Sequence, residues 1–375
     1  MSGPEWNLDF TEQVTFSLRT LYNRYGYSPY KMSKFEEYDL YARNKDFLIS
    51  DSVITFTDLN GKLMALKPDV TLSIVKNSAD RPTGLQKLYY NENVYRVGKG
   101  TRTFREIMQI GLEALGQVDR YCIMEVLMLA AKSLKCISKE AILDVSHLGL
   151  LSEFLASIGI RPEETSRVLQ YLGEKNLHEL SAACRSAGIT EENIALLTQL
   201  AALSGPVHQV LTQAELLLKG RVNDNLLADY IRILSALADT EIGNALYMDF
   251  SVVDDIHYYN GIVFKGFIAG VPEGLLSGGE YNGLMRKMGK KENAIGFAVY
   301  LDTLERLNLT AKKFDVDCVL LYDESTSASD LAYAVNALVA EEKTVMAQRI
   351  VPENIKYRQL LKLNGKEVDV LENND

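Results

Sequence analysis

The residues of this chain with the type and spacing to do chemistry fall into a few short runs. Lys67, Pro68, Asp69, Val70 and Thr71 place a carboxylate and a hydroxyl just beyond a proline. There they can cap a turn or a helix start, or hold a ligand. In the β-rich run 104–114, a period of two puts Arg105, Ile107, Gln109, Gly111 and Glu113 on one face. Polar groups at 105, 109 and 113 then point the same way around a glycine that leaves room, although a solvent-facing strand would carry the same residues. Tyr258 and Tyr259 form an adjacent phenol pair. The glycine-rich stretch 276–284 invites a phosphate loop, but no Gly-Lys-Ser or Gly-Lys-Thr follows it, and Glu280 would repel phosphate. It reads better as a tight backbone crossing. The basic tip 99–105 reads as a solvated hairpin end, a phosphate contact or a partner contact.

Other chemistries find no support. Four cysteines (Cys122, Cys136, Cys184, Cys318) and four histidines (His147, His178, His208, His257) are scattered without metal-ligand spacing, so buried free thiols and no metal or cofactor are expected. No hydrophobic strand ends in paired acids with a glycine-threonine loop, the pattern of a phosphoribosyl-diphosphate site. The formal net charge of −10 argues against a nucleic-acid grip, which draws on basic surface. With 375 residues, 47% hydrophobic and 24% charged, the chain can bury a large core in two or three domains. It shows no leader pattern and no membrane-length apolar run, so a soluble cytoplasmic protein is expected.

The elements that must position these residues alternate in type. Helical spacing spans 7–22 and ends at Gly26. Strand-like runs 53–58 and 62–66 flank an Asn-Gly turn, and β-rich runs 85–97 and 104–114 flank a glycine-rich basic tip. From about 150 to 237 the pattern is helical. β-character returns at 245–253 and 258–267, and a helix is expected near 301–307. Residues 316–322, 329–342 and 344–350 read as strand, helix and strand of a small α/β unit. The expected class is α+β with a mostly antiparallel sheet.

Tyr25-Gly26-Tyr27, the 67–71 run, the 96–113 hairpin, Tyr258-Tyr259 and the 277–283 glycine run occur in the order found in histidyl-tRNA synthetases, which the chain resembles over roughly residues 8–310. The resemblance implies a class II synthetase-like antiparallel sheet flanked by helices over 1–310, a helical insertion at about 150–240, and a 312–375 unit resembling a truncated anticodon-binding domain. It also implies a histidine pocket. Asp69 and Thr71 match the acid and threonine of the family's Arg-Pro-Glu-Gly-Thr, which hold the α-ammonium group. Gln109 and Glu113 fall on residues that contact histidine, and Tyr258 and Tyr259 match the histidine-binding loop. Carboxylate and phenol suit an imidazole.

The departures concern adenylate formation, which needs cations on ATP and on the substrate carboxylate. Asp254, Glu280 and Thr303 stand where the family has arginines, so two anions and one neutral residue replace three cations. If histidine binds, Arg96, Arg105 or a partner residue must meet its carboxylate. A chain that keeps the amino-acid pocket and loses adenylation resembles the regulatory subunits that partner the short catalytic form of ATP phosphoribosyltransferase, at the first step of histidine biosynthesis. The resemblance implies a non-catalytic subunit with histidine as effector, no tRNA role, and a homodimer within a hetero-oligomer. The motif 1 proline aligns with Ser33, near Pro29. An active histidyl-tRNA synthetase and a ligand-free scaffold are the alternatives.

Overall fold

The computed structural model describes residues 8–48, 53–78, 84–98, 103–253, 258–305 and 313–374. The chain divides into two compact units, 1–307 and 308–375. No helix among the described residues is long and apolar enough to cross a membrane.

Helix α1 (Phe10–Arg24) starts at a capping box, in which the Asp9 side chain accepts from Glu12 N–H and the Glu12 carboxylate accepts from Asp9 N–H. That cap sets the helix start at Phe10, three residues later than the apolar spacing alone suggests. Strand β1 (Ser28–Pro29) follows. Then β2 (Phe35–Glu37), α2 (Tyr38–Arg43), β3 (Thr55–Thr57) and β4 (Leu63–Leu66) build a three-stranded sheet in the order β2-β4-β3. The expected hairpin around the Asn60-Gly61 turn is its β3–β4 pair.

Helix α3 (Thr71–Asn77) precedes the long hairpin of β5 (Leu85–Val97) and β6 (Phe104–Gly116), then α4 (Arg120–Ile137) and β7 (Ala141–His147). The helical region contains α5 (Leu148–Ser157), α6 (Pro162–Gly173), α7 (Leu177–Ser186) and α8 (Glu191–Ala202), then the short β8 (Ser204–Pro206), α9 (Val207–Leu218) and α10 (Asp224–Ala238). The unit closes with β9 (Leu246–Asp249), β10 (Ile262–Ile268), β11 (Leu276–Glu280), α11 (Asn282–Lys287), β12 (Asn293–Tyr300) and α12 (Asp302–Glu305).

The main sheet runs β1-β5-β6-β12-β11-β10-β7-β9-β8. Its pairings are antiparallel except β1 with β5 and β7 with β9. The sheet is therefore mixed, as the expected antiparallel core with two parallel additions at its flanks. The β5–β6 register runs unbroken from Leu85 opposite Gly116 to Val97 opposite Phe104, and this ladder carries the site. Helices α1 and α4 cover one face. Tyr22 Oη meets Ser133 Oγ at 2.9 Å beneath them, so this polar tip in the core is paired. Each fully buried leucine or valine of α4 contributes roughly 1.5–3 kcal/mol by leaving water.

The second unit has β13 (Val316–Leu321), α13 (Ala328–Ala340), β14 (Val345–Gln348), β15 (Tyr357–Asn364) and β16 (Glu367–Asn373), with strands in the order β14-β13-β15-β16. The last two strands form a hairpin that the sequence reading did not anticipate. Three cysteines are buried as expected, but Cys136, near the end of α4, is exposed.

Candidate functional site

Asp69, Thr71, Arg96, Gln109, Glu113, Tyr258 and Tyr259 line one cavity. Three elements bring them together. The turn into α3 supplies Asp69 and Thr71, the β5–β6 hairpin supplies Arg96, Gln109 and Glu113, and the chain entering β10 supplies the tyrosines. Alternation along β6 aims Gln109 and Glu113 the same way, because side chains two apart share a face.

At the centre, Glu113 is buried, accepting the Thr71 hydroxyl on Oε1 at 2.6 Å and the Tyr281 hydroxyl on Oε2 at 2.7 Å. Burial pushes its carboxyl up to about 8, the two hydrogen bonds pull against that, and the nearby Asp69 charge adds to the rise. A carboxyl titrating near neutrality can donate to, or accept from, an imidazole. Asp69 Oδ1 accepts the Leu72 N–H at 2.8 Å, so this residue caps α3 and lines the cavity at once. Arg96 donates from Nε to the Pro68 carbonyl at 3.0 Å, which holds its guanidinium at the cavity wall. Among the described residues lining the cavity, Arg96 is the one cation, facing the carboxyl groups of Asp69 and Glu113.

Aromatic rings close the space. Tyr258 stacks edgewise on Tyr259 with centroids 4.8 Å apart, and sits 6.0 Å from the Tyr281 ring. The remaining cavity is about 30 Å³, room for about two water molecules. Glycine makes even this possible. A Cβ on Gly296 would stand 1.8 Å from Glu113 Oε2, and one on Gly111 would stand 2.6 Å from the Tyr90 hydroxyl. Gly278 and Gly279 behave likewise against β12 and β10, so the glycine run is a close backbone crossing.

Several positions differ from expectation. Arg105 pairs with Asp302 at 3.3 Å and does not line the cavity. Glu280 lies on the other side of the sheet, because Ser277 lines the cavity and side chains three apart on a strand face oppositely. Thr303 is on α12, outside the lining. Lys67 is fully buried and turned to Glu92. Asp254, His257 and most of the basic tip, 99–102, lie outside the described residues. Sequence reasoning missed Tyr281, Tyr90, Ser277 and Tyr300 as lining residues. Ser277 and Tyr281 were within reach, since they belong to the quoted glycine run. Among the described residues no cluster of histidine, cysteine and acids could hold a metal ion.

Residues 7–304 match the family model described as histidyl-tRNA synthetase. The chain belongs to the histidyl-tRNA synthetase family. Within it, the chain is similar to the ATP phosphoribosyltransferase regulatory subunit of Thermoanaerobacter pseudethanolicus, at 27% identity over 83% of this chain and 81% of that one. Among solved structures, it resembles an ATP phosphoribosyltransferase regulatory subunit/histidyl-tRNA synthetase from Bacillus halodurans, with a TM-score of 0.77 and 21% identity over 96% of this chain and 99% of that one. The ATP phosphoribosyl transferase (HisG:HisZ) complex from Thermotoga maritima also matches, with a TM-score of 0.61 and 20% identity over 78% and 97%. These likenesses establish the class II synthetase-like fold of this family member.

Proposed function

We propose that this chain is a non-catalytic regulatory subunit of ATP phosphoribosyltransferase, needed for activity of the short catalytic subunit and responsive to histidine. The observation that carries the reading is the composition of the cavity, which gathers hydrogen-bonding groups for a small zwitterion around two carboxyl groups and a single guanidinium. Such a lining suits an amino acid. Asp69 and Thr71 take the α-ammonium, Arg96 takes the carboxylate, and Gln109 and Glu113 face the imidazole between the rings of Tyr258 and Tyr259. It does not suit a triphosphate, whose transfer chemistry relies on several cations. Asp254, set where the family has an arginine, supports the absence of adenylation. The similarity to the Thermoanaerobacter regulatory subunit supports the partner assignment.

With space for about two waters, the cavity must open to admit histidine. Opening gives the ligand a differential affinity for two states of the chain, which is the requirement for transmitting feedback to a partner. The pairing is a homodimer within a hetero-oligomer, in the cytoplasm.

The test is phosphoribosyltransferase activity of a purified short catalytic subunit with and without this chain, followed by titration of histidine. Activation that histidine reverses is expected. Absence of both complex and activation, or histidine-dependent exchange of pyrophosphate into ATP by this chain, overturns the proposal, and the exchange would establish an active synthetase.

A further inference from the structure

A second cavity, of about 210 Å³, lies on the sheet face opposite the first, between the start of α4, α10, the β7–α5 junction and strands β10 and β11. Its lining is mixed, with Val118, Ile123, Leu226, Ile233 and Ile262 as the apolar part. Arg120 and Asp229 also line it, ion-paired and about half exposed, and Arg232 reaches the same Asp229 oxygen at 3.4 Å. Two buried polar side chains, His147 and Tyr230, and the largely buried Glu280 complete the lining.

Each polar group has defined capacity. The Tyr230 hydroxyl is engaged with the Val145 carbonyl at 3.2 Å. His147 Nδ1 accepts the Leu150 N–H at 3.2 Å, so the neutral ring carries its hydrogen on Nε2, for which no described residue is an acceptor. Glu280 Oε2 accepts the Ile262 N–H at 2.8 Å and its carboxylate also takes a hydrogen bond from the Asn282 side chain, both working against the burial that raises this carboxyl, and further lone-pair directions stay open to another donor. Asp119 caps α4 by accepting the Cys122 N–H at 2.8 Å. The lining thus holds three acids against Arg120, whose guanidinium already has Asp229. An anion would have to displace that pair, whereas a cation meets a buried carboxylate.

We propose that this cavity binds a compact organic ammonium compound bearing a hydroxyl on a branched apolar body. The ammonium pairs with Glu280, the hydroxyl accepts from His147 Nε2–H, and the apolar body packs on Ile123, Ile233 and Ile262. The site stands independently of the histidine reading, since no residue is common to the two linings.

Leucinol has the three features and serves as the probe, titrated calorimetrically into the full chain at neutral pH, with isohexanol as the counterpart lacking the amine. Saturable leucinol binding and none of isohexanol are expected. Glu280→Gln removes the charge-assisted bond and Leu226→Phe fills the cavity, and each is expected to weaken binding by about tenfold or more. Should one variant not fold, the other decides. Asp69→Asn, in the first cavity, is expected to leave leucinol affinity unchanged whether or not histidine binds there. No binding at millimolar leucinol, wild-type affinity in a folded Glu280→Gln or Leu226→Phe variant, or loss of affinity in Asp69→Asn overturns the proposal.

Discussion

The Thr71 hydroxyl donates to Glu113 Oε1 at 2.6 Å, tying the first residue of α3 to the middle of the main sheet across 42 positions of sequence. Thr71 therefore does not cap its own helix. Asp69 does, through Leu72 N–H. The two polar residues after Pro68 thus have separate structural duties on one wall of the cavity.

That division makes Asp69→Asn a discriminating substitution. Asparagine caps helices about as well as aspartate, so the unfolding midpoint should change little. Loss of a charge-assisted contact to an ammonium group should weaken histidine binding by roughly 1.5–3 kcal/mol, or about 10- to 100-fold. Calorimetric titration beside urea unfolding reads both. A stable variant with unaltered histidine affinity would remove Asp69 from the ligand site.

Glu113 should write itself into the pH dependence of stability. Its carboxyl is raised in the folded chain from an ordinary 4.5 to about 8, chiefly by burial. Its contribution is then fully present below about 4.5 and is lost as pH rises toward 8, because the unfolded chain releases this proton first. Urea midpoints of the protein and of Glu113→Gln, compared from pH 4.5 to 9, should diverge with rising pH in favour of the variant. Parallel curves would contradict the burial argument.

His147 should act in the opposite direction. Burial lowers its imidazole from 6.5 to about 4, while Nδ1 caps α5 through Leu150 N–H. Its contribution is complete above 6.5 and is lost as pH falls through that window toward 4. Replacement by asparagine, which also caps, should cost about 1 kcal/mol or less at pH 7 and flatten acid destabilisation between pH 6.5 and 4. Thermal melts across that range test this, and an unflattened curve would count against it.

Gly296→Ala should be among the most damaging single-methyl additions. The new Cβ would approach Glu113 Oε2 to 1.8 Å and the Leu112 carbonyl to 2.5 Å, and the second of these is backbone that cannot swing away. Destabilisation of about 1–3 kcal/mol is expected, with histidine binding lost. A melting temperature equal to that of the parent would refute the close approach of β12 to β6.

The sequence by itself determined what depends on near neighbours. The β5–β6 hairpin was legible to within two residues of its end, Ala114 against the observed Gly116, because alternation and a glycine-rich charged tip are local signals. So were the helical region after residue 150 and the shared direction of Gln109 and Glu113. Helix α4 was not. Its residues Val126, Leu127, Leu129, Ala130, Ala131 and Leu134 are all fully buried, so no single apolar stripe marks it. Register against distant strands also lay beyond local pattern. Only the fold set Arg105 against Asp302, buried Lys67 against Glu92, and turned Glu280 to the far face while Ser277 stayed in the cavity. Periodicity states which residues share a face. Which faces meet, and how little room is left between them, follows from packing elements that are far apart in the chain, and that was decided by tertiary structure alone.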